Sequence, residues 1–368
     1  MLLKLAVKDF RNFKRFVIDF DKPVVVIVGD NATGKTNILE AIHMLAFGKS
    51  FKASVEEEMI NHKRDIARMY GVVADMPVQA GRTKLEIVLT RGKIKIGTNK
   101  YEKTPRKKLL LDGMSKRLFN FAGRLRIVLF SPEDLDIVLE SPSVRRKFMD
   151  SVLSLTDREY YRALLSYEKG LRQRNKLLWR IREEGLTRSQ LVFWDRLLIK
   201  NGGYITDQRQ EFIDFVNEAN EVNDQKFMIK YDKSVISEVR ISRYEKEEVA
   251  SATTLVGPHR DDFIFRHKAS GKKMYRNLAK FGSRGEQRMG VLWLKLRELF
   301  YIRTTSEVAP ILLLDDIFSE LDHEHRDIVM DLVGSKKKNE DFVSQVIITT
   351  ADPHFVKGMR GIKKIVLK

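Results

Sequence analysis

The residues with the clearest chemical capacity are Gly29 to Thr36, GDNATGKT, which fit the pattern G-x-x-x-x-G-K-[ST]. An apolar run, Val24 to Val28, predicts a buried strand before them. Apolar residues at helical spacing from Ile38 to Ala46 predict a helix after them. Such a loop binds phosphate because its glycines let backbone N–H groups approach and the helix N-terminus carries positive partial charge. We therefore expect a nucleotide-phosphate site here.

Individual residues of this loop have predicted tasks. Lys35 should reach the β- and γ-phosphates of ATP, and the Thr36 hydroxyl should ligate Mg²⁺. The alternative is a glycine-rich turn that binds no ligand. The predicted nucleotide-binding residues of the loop are Gly29, Asp30, Asn31, Ala32, Thr33, Gly34, Lys35, Thr36 and Asn37.

A second motif lies far along the chain, where the apolar run Ile311 to Leu314 is followed at once by Asp315 and Asp316. In an open α/β sheet the carboxyl ends of the strands form the ligand-binding edge, so this acid pair should meet the phosphate loop. Asp315 is then expected to hold Mg²⁺ through water together with Thr36. Asp316 is expected to polarise the attacking water, which makes Lys35 and Asp316 the predicted catalytic residues.

A third segment, Gly282 to Gln287, precedes a predicted helix over Gly290 to Phe300. Ser283 stands where an N-cap can bind an anion. The alternative is a plain loop and a capped helix with no ligand.

Composition limits the classes of protein to consider. The chain of 368 residues is 43% hydrophobic, enough to form a core, and it has no cysteine, which excludes disulfides, cysteine zinc sites and thiol nucleophiles. No window approaches the twenty apolar residues of a membrane span. The N-terminal apolar stretch contains Lys4, Lys8 and Asp9 and so does not resemble a signal peptide. We expect a cytoplasmic protein with no membrane partner.

Positive charge is concentrated in one stretch. The chain carries 68 Lys and Arg against 50 Asp and Glu, a net charge of +18. Between Arg82 and Arg126 there are 14 basic and 3 acidic residues, a net charge of +11. The alternative is a solvated, lysine-rich hairpin, but the concentration favours contact with a phosphate backbone, as in DNA.

The remaining pattern predicts a mixed α/β protein with a helical middle. Residues from Ser143 to about Ala219 should form two antiparallel helices, the first ending at Gly185 and the second interrupted by Gly202 and Gly203. Strands are also expected at Leu2–Val7, Phe16–Phe20, Leu125–Phe130, Phe227–Tyr231, Val235–Ile241, Phe263–Arg266 and Val346–Thr349, and loops at Thr304–Glu307 and Gly334–Glu340.

These motifs together resemble ABC-type ATPase heads. In such heads a serine-glycine signature, here Ser283, Gly285, Glu286 and Gln287, closes over the γ-phosphate bound to the other subunit. Ser319 to Asp322 resembles their D-loop. The resemblance implies an ATP-driven homodimer in which Ser283, Gly285 and Gln287 act in trans.

A narrower resemblance is to RecF, the bacterial recombination mediator family. It rests on KDFRNFKRFVIDF, FSPEDLDIVLESPSVRRKFMD, LVGPHRDDF and LLLDDIFSELD, which occur in that order. The resemblance implies binding of duplex DNA and ssDNA–dsDNA junctions, weak DNA-dependent ATPase activity used as a switch, and cooperation with RecO and RecR in loading RecA. It also implies an ABC-type P-loop ATPase head: lobe I from residues 1–128 and 306–368, and an inserted, mainly helical lobe II from 129–305.

The chain departs from ABC heads at several positions. Asp316 stands where a glutamate is usual, so slow hydrolysis is expected, and Thr349 and Thr350 replace the usual histidine. No glutamine follows the strand that ends at Phe130; Ser131 and Glu133 are the alternatives for its role. His259 is either structural or functional. We expect no metal role for His323, His325 and His354, which lack companion ligands.

Three other functions share part of this pattern. A transporter ATPase subunit would have the same motifs without the basic stretch, and a metabolic kinase would not need Ser283 to Gln287. An SMC-like or Rad50-like head would carry a far longer helical arm.

Overall fold

The computed structural model describes residues 1–74, 81–96, 100–219, 221–222, 225–269, 271–272, 274–306, 308–319, 326, 343–356 and 361–368. The chain divides into two compact units. The first unit comprises residues 1–133 and 302–368, and the second comprises residues 134–301. The assignment of functional lobes to the predicted boundaries stays a prediction.

Strands and helices follow in chain order. The strands are β1 (Leu2–Phe10), β2 (Phe13–Asp19), β3 (Val24–Val28), β4 (Ile66–Ala74), β5 (Arg82–Thr90), β6 (Lys93–Ile96), β7 (Lys100–Lys103), β8 (Lys107–Leu111), β9 (Met114–Lys116), β10 (Ile127–Phe130), β11 (Glu221–Val222), β12 (Gln225–Asp232), β13 (Asp262–Lys268), β14 (Arg276–Asn277), β15 (Ile311–Asp315), β16 (Gln345–Thr350) and β17 (Lys363–Val366). The helices are α1 (Lys35–Phe47), α2 (Leu118–Phe121), α3 (Asp136–Leu139), α4 (Pro142–Thr156), α5 (Arg158–Glu184), α6 (Val192–Glu218), α7 (Glu238–Arg243), α8 (Glu245–Ser251), α9 (Leu278–Phe281) and α10 (Arg284–Ser306).

A parallel sheet with the order β10-β15-β16-β3-β17 organises the first unit. Its central strands β15, β16 and β3 are buried almost throughout and consist mainly of Val, Ile and Leu, as expected for a sheet covered on both faces. Because the strands run in the same direction, their carboxyl ends share one edge. The loop after β3 and the acid pair at the end of β15 therefore lie at that edge.

A second, antiparallel sheet completes the first unit, with the order β2-β1-β4-β5-β8-β9. Helix α1 contacts strands of both sheets, and its apolar side chains are buried. Apolar residues of both sheets and of α1 form one core. The separate hairpin of β6 and β7 lies within the basic stretch.

Helices dominate the second unit. Close contacts pair α5 with α6 in antiparallel register: Arg174 bonds Asp195, and Tyr160 bonds Arg209. A small antiparallel sheet with the order β11-β12-β13-β14 packs with these helices. Helix α5 ends at Gly185 in the left-handed conformation (φ 67°), as predicted.

Four predicted elements were wrong. The first of the two helices predicted between Ser143 and Ala219 is divided at Asp157 into α4 and α5. The segment predicted as a strand at Val235–Ile241 contains no strand. Helix α7 begins within it at Glu238, because Ser237 caps the helix by accepting a hydrogen bond from the Arg240 amide. The predicted interruption at Gly202 and Gly203 is absent, since α6 continues through both residues. The segment predicted as a loop at Thr304–Glu307 is helical as far as Ser306, where α10 ends.

The other predicted strands are present within a few residues of their predicted bounds. The loop predicted at Gly334–Glu340 lies outside the described residues. None of the helices that the structure describes is both long and apolar enough to cross a lipid bilayer.

Candidate nucleotide-binding site

The loop between β3 and α1 requires glycine at its end. Gly34 has a φ of 106°, and a Cβ atom there would lie 2.6 Å from Phe13 Cζ and 2.8 Å from the Asn12 amide group. Any other residue would clash and be strained. Among the described residues, no side chain caps the N-terminus of α1. The first turn of α1 thus keeps the dipole and N–H groups that favour an anion.

Lys35 is folded back into this loop. Its Nζ atom donates to the carbonyl oxygens of Gly29 at 2.7 Å and Asp30 at 3.0 Å, and the residue is only 7% exposed. The ammonium group is therefore held inside the cradle. Thr33 tightens the loop further, since its hydroxyl donates to the Asp30 carbonyl oxygen at 2.8 Å.

Two hydroxyl groups converge on one carboxylate oxygen. Thr36 Oγ1 donates to Asp315 Oδ1 at 3.1 Å, although the two residues are 279 positions apart. Thr349 Oγ1 donates to the same oxygen at 2.6 Å from the end of the adjacent strand β16. A hydroxyl next to a carboxylate is the oxygen donor set that Mg²⁺ prefers. The residues present therefore fit a magnesium ion.

The electrostatics of Asp315 agree with a cation site. Burial raises the pKa of Asp315 above its usual value, while the hydrogen bonds from Thr349 and Thr36 act to lower it. The nearby carboxylates of Glu133 and Asp316 raise it further. This crowding of negative charge in a buried place would be relieved by a divalent cation.

Asp316 is anchored by its backbone. It has a φ of 49°, a left-handed conformation that aspartate adopts more readily than most residues. Its amide donates to the Thr349 carbonyl oxygen at 3.1 Å, and its Oδ1 atom accepts from the Ala351 amide at 3.3 Å. The carboxylate predicted to polarise water is thereby tied to the edge of the parallel sheet.

The segment from Gly282 to Gln287 belongs to the second unit. Its serine forms a capping box: the Ser283 amide donates to Glu286 Oε2 at 2.7 Å, and the Glu286 amide donates to Ser283 Oγ at 3.2 Å. Gln287 is buried, and its Nε2 atom donates to the Gly282 carbonyl oxygen at 3.2 Å. Ser283 therefore caps α10, which begins at Arg284 and not at the predicted Gly290. The binding of an anion at this cap stays a prediction.

Gly285 differs from Gly34. A Cβ atom there would meet nothing within 4 Å among the described residues, and its φ is not positive. Neither backbone conformation nor packing against the described residues accounts for a glycine at this position.

His259 lies between two polar partners. Its Nδ1 atom is 2.8 Å from the Tyr167 hydroxyl, and its Nε2 atom is 3.0 Å from the Thr254 carbonyl oxygen. Burial lowers the pKa of His259 to about 4, so the ring is neutral at pH 7. A neutral ring can accept from the tyrosine and donate to the carbonyl, which is a structural task.

Several predictions fall elsewhere. Glu320 to Asp322 of the predicted D-loop, with His323 and His325, lie outside the described residues. Within the part of the chain that the structure describes, no group of three or more His, Cys, Asp or Glu residues is placed to hold a metal ion. The charge of Glu133 raises the pKa of Asp315, so Glu133 lies near the predicted metal ligand. Ser131 and Glu133 both stay predictions for the role of the missing glutamine.

Two residues that support these segments, one in each unit, escaped the sequence analysis. Asn12 supports the phosphate loop from the turn between β1 and β2: its Nδ2 atom donates to the Thr33 carbonyl oxygen, and its Oδ1 atom accepts from Asn37 Nδ2 at 2.9 Å. Arg276 bonds the Glu286 carboxylate. Only the motif around Asn12 offered a signal, because Arg276 lies in a segment with no pattern of its own.

Comparison with known proteins places these features in a family. Residues 1–368 match the family described as "RecF/RecN/SMC N terminal domain". A DNA replication and repair protein RecF from Thermomicrobium roseum is 33% identical over 89% of this chain and 88% of its own length. A protein of the same name from Agathobacter rectalis is 33% identical over 99% of this chain and 96% of its own.

Solved structures agree. A structure of the recombination mediator protein RecF with ATP, from the RecFOR pathway, has a TM-score of 0.83 and 29% identity, and covers 99% of this chain and 95% of that one. An Smc head domain from Pyrococcus furiosus, at 18% identity and a TM-score of 0.55, shares the fold. The chain therefore belongs to the RecF family, and its fold is that of the RecF and SMC ABC-type ATPase heads.

Proposed function

We propose that this protein is an ATP-dependent DNA-binding protein of recombinational repair and replication restart. The observation that carries the proposal is the hydrogen bond from Thr36 to Asp315 at 3.1 Å, which joins the phosphate loop to the acid pair in an arrangement that fits Mg²⁺. The RecF relatives, which include a structure described as RecF-ATP, support ATP as the nucleotide.

Each predicted site residue of the first unit then has a role. The loop amides and Lys35 bind the β- and γ-phosphates, and Thr36 and Asp315 hold Mg²⁺, which supplies charge neutralisation on the phosphate oxygens. Asp316 orients the attacking water. Because aspartate is shorter than the glutamate usual in ABC heads, hydrolysis is slow and serves as a switch.

The second unit supplies the signature to a twin molecule. Ser283, Gly285 and Gln287 of one copy act on the nucleotide bound by the other. The bare surface at Gly285 supports this role, since a glycine that its own chain does not need leaves room for a group from outside. ATP thus favours the closed homodimer by making contacts with two subunits at once.

The basic stretch is the proposed DNA surface. Some of its cations are neutralised locally, as Lys107 pairs with Glu56 and Arg106 with Glu57. Others are exposed: Lys93, Lys103, Lys108, Arg117 and Arg124. Phosphate contacts of this kind fix position without reading sequence, so duplex DNA and ssDNA–dsDNA junctions are the proposed ligands.

Partners and location follow from this role. The solved RecF structures are described as part of the RecFOR pathway, which supports RecO and RecR as partners. RecA as the protein that is loaded is carried over from the resemblance to the RecF family alone. A protein that acts on chromosomal DNA in bacteria would work in the cytoplasm.

DNA binding by purified, lipid-free protein tests the proposal. Fluorescence anisotropy would follow a labelled gapped duplex across a salt series, with and without ATP-Mg²⁺. We expect ATP to strengthen binding by wild type but not by Lys35→Met. The affinity should fall steeply, by on the order of 0.9 log unit per phosphate contact for each log unit of salt.

A matched pair of lysine variants locates the surface. Lys103→Ala should reduce that salt slope by about 1, and Lys246→Ala, which removes an exposed lysine of the second unit, should not. A DNA affinity that changes with neither ATP nor salt concentration would contradict the proposal. It would favour the alternative that the protein is the ATPase subunit of another ABC-type assembly.

A further inference from the structure

The carboxylate of Glu286 accepts a hydrogen bond from the amide of the signature serine, Ser283, and a second one from Arg276, which lies outside the signature. Glu286 binds the Ser283 amide through Oε2 at 2.7 Å. Its other oxygen, Oε1, accepts from Arg276 Nη2 at 2.8 Å. The two oxygens of one carboxylate therefore join the start of α10 to strand β14.

A short antiparallel ladder fixes the arginine in place. Arg276 pairs directly with His267 across β13 and β14. The buried His267 ring lies 3.6 Å from Glu286 Oε1 through Nδ1. Although burial acts to raise the pKa of Glu286, the Ser283 amide, His267 and Arg276 hold it below its usual value, so this carboxylate is ionised at neutral pH.

Apolar packing behind the helix leaves little room for α10 to shift. Phe227 of β12 stacks on the His267 ring at 4.9 Å and on Trp293 of α10 at 5.9 Å. At Gly290 an added Cβ atom would lie 2.5 Å from Leu278 Cδ2, so the helix sits close against its neighbours. The sheet thus holds α10 by packing, and the Arg276–Glu286 pair holds its first turn.

We propose that Arg276 is a positioning residue for Ser283, which fixes the serine through Glu286 so that it can close on a nucleotide held by a second copy of this chain. The inference rests on the proposed function and deepens it. It assigns Glu286 to positioning within its own chain, with Ser283 left to meet the phosphate. The Ser283 hydroxyl accepts from the Glu286 amide, which leaves its hydrogen free to donate.

Dimerisation as a function of ATP concentration tests this role. Sedimentation velocity would give the ATP-Mg²⁺ concentration at half-maximal dimer for wild type, Arg276→Ala and Arg276→Lys. We expect Arg276→Ala to need roughly three- to tenfold more ATP, the effect of losing one hydrogen-bonded ion pair. Arg276→Lys should recover most of this loss because it keeps the charge. Arg162→Ala, which removes an exposed arginine paired with Glu159 on α5, is the matched control and should behave as wild type.

A second measurement separates positioning from loss of structure. ATP binding to dilute monomer should be unchanged in Arg276→Ala, because the phosphate loop belongs to the other unit of the chain. If Arg276→Ala does not fold, the same ATP titration of Glu286→Gln tests the positioning role. Glu286→Gln keeps an acceptor for the Ser283 amide but weakens the bond to Arg276. A wild-type ATP requirement in whichever variant folds would overturn the inference.

The proposed function has its own control. Wild type should form the dimer with ATP, and Ser283→Arg should not. If neither wild type nor Ser283→Arg forms a dimer with ATP, the proposed function is overturned. A dimer that is lost in Ser283→Arg but unaffected in Arg276→Ala and Glu286→Gln would overturn only the positioning role.

Discussion

At the residue scale, Asp316 is the side chain at which the proposed mechanism predicts that the rate of ATP hydrolysis can be changed without altering the phosphate loop. Its carboxylate is tied to Ala351 and its amide to Thr349, so an asparagine should occupy the same place. Asp316→Asn removes the proton acceptor for water, and we expect ATP hydrolysis to fall by about 10²-fold or more. The ATP-bound dimer should persist longer than in wild type.

Single-turnover hydrolysis and sedimentation of the same sample measure both effects. Asp352→Asn, a change at the residue directly after Ala351, is the control and should hydrolyse ATP at the wild-type rate. Hydrolysis by Asp316→Asn at that rate would remove Asp316 from the catalytic residues.

His259 gives a prediction about pH. Its pKa of about 4 in the folded protein lies below the ordinary value of 6.5, so between these two values the unfolded chain binds a proton that the folded chain does not. Stability contributed by the neutral ring is therefore complete above pH 6.5 and lost as the pH falls towards 4. The loss is on the order of 1–3 kcal/mol.

Urea unfolding followed by tryptophan fluorescence measures this loss, since Trp179, Trp194 and Trp293 all lie in the second unit with His259. His259→Gln should flatten the pH dependence between 4 and 6.5, whereas replacement of the exposed His62 should leave it unchanged. Equal slopes in wild type and His259→Gln would contradict a buried neutral histidine.

Much of the candidate site could be predicted from residue types and their spacing in the sequence. The pattern at Gly29 to Thr36 and the acid pair Asp315–Asp316 are local in sequence, and the structure brings them together through Thr36. Arg276 could not be found in the same way. Its meaning comes only from the ladder that places it beside Glu286, and a lone arginine before a short helix has many ordinary explanations.

At the scale of elements, two adjacent glycines of α6 have opposite roles. A Cβ atom at Gly202 would lie 2.7 Å from Ile236 Cγ2 and 3.0 Å from Tyr167 Cε2, whereas one at Gly203 would meet nothing within 4 Å among the described residues. Gly202→Ala should therefore destabilise the protein by about 1–3 kcal/mol through overpacking. Gly203→Ala should stabilise it by about 0.5–1 kcal/mol through helix propensity.

Thermal and urea unfolding of the two variants make a matched comparison, because the substitution and the helix are the same. Equal effects of the two changes would contradict the packing of α6 against Ile236 and Tyr167.

The same glycines show why element prediction partly failed. Glycine disfavours a helix without preventing one, and at Gly202 it is required because Ile236 and Tyr167 approach too closely for a Cβ atom. At Val235–Ile241 the apolar residues resembled a strand, and the cap at Ser237 overrode them. Strands buried on both faces, such as β3 and β15, were predicted correctly because their composition admits little else.

At the scale of the whole molecule, the proposed switch requires parts of two units that are far apart in sequence. The phosphate loop and acid pair belong to the first unit and the signature to the second. The resemblance to RecF predicted this assembly, and the chain belongs to that family. Composition and spacing in one chain carry no signal for contacts with a second copy, so only the resemblance predicted the dimer.

The most direct test of the account is therefore sedimentation of wild type and Lys35→Met with and without ATP-Mg²⁺. We expect wild type to shift from monomer to dimer on addition of ATP-Mg²⁺, and Lys35→Met to stay monomeric because it lacks the ammonium group that binds the phosphates. A wild type that stays monomeric with saturating nucleotide, or a Lys35→Met variant that dimerises like wild type, would contradict the claim that a nucleotide shared between two copies drives dimerisation.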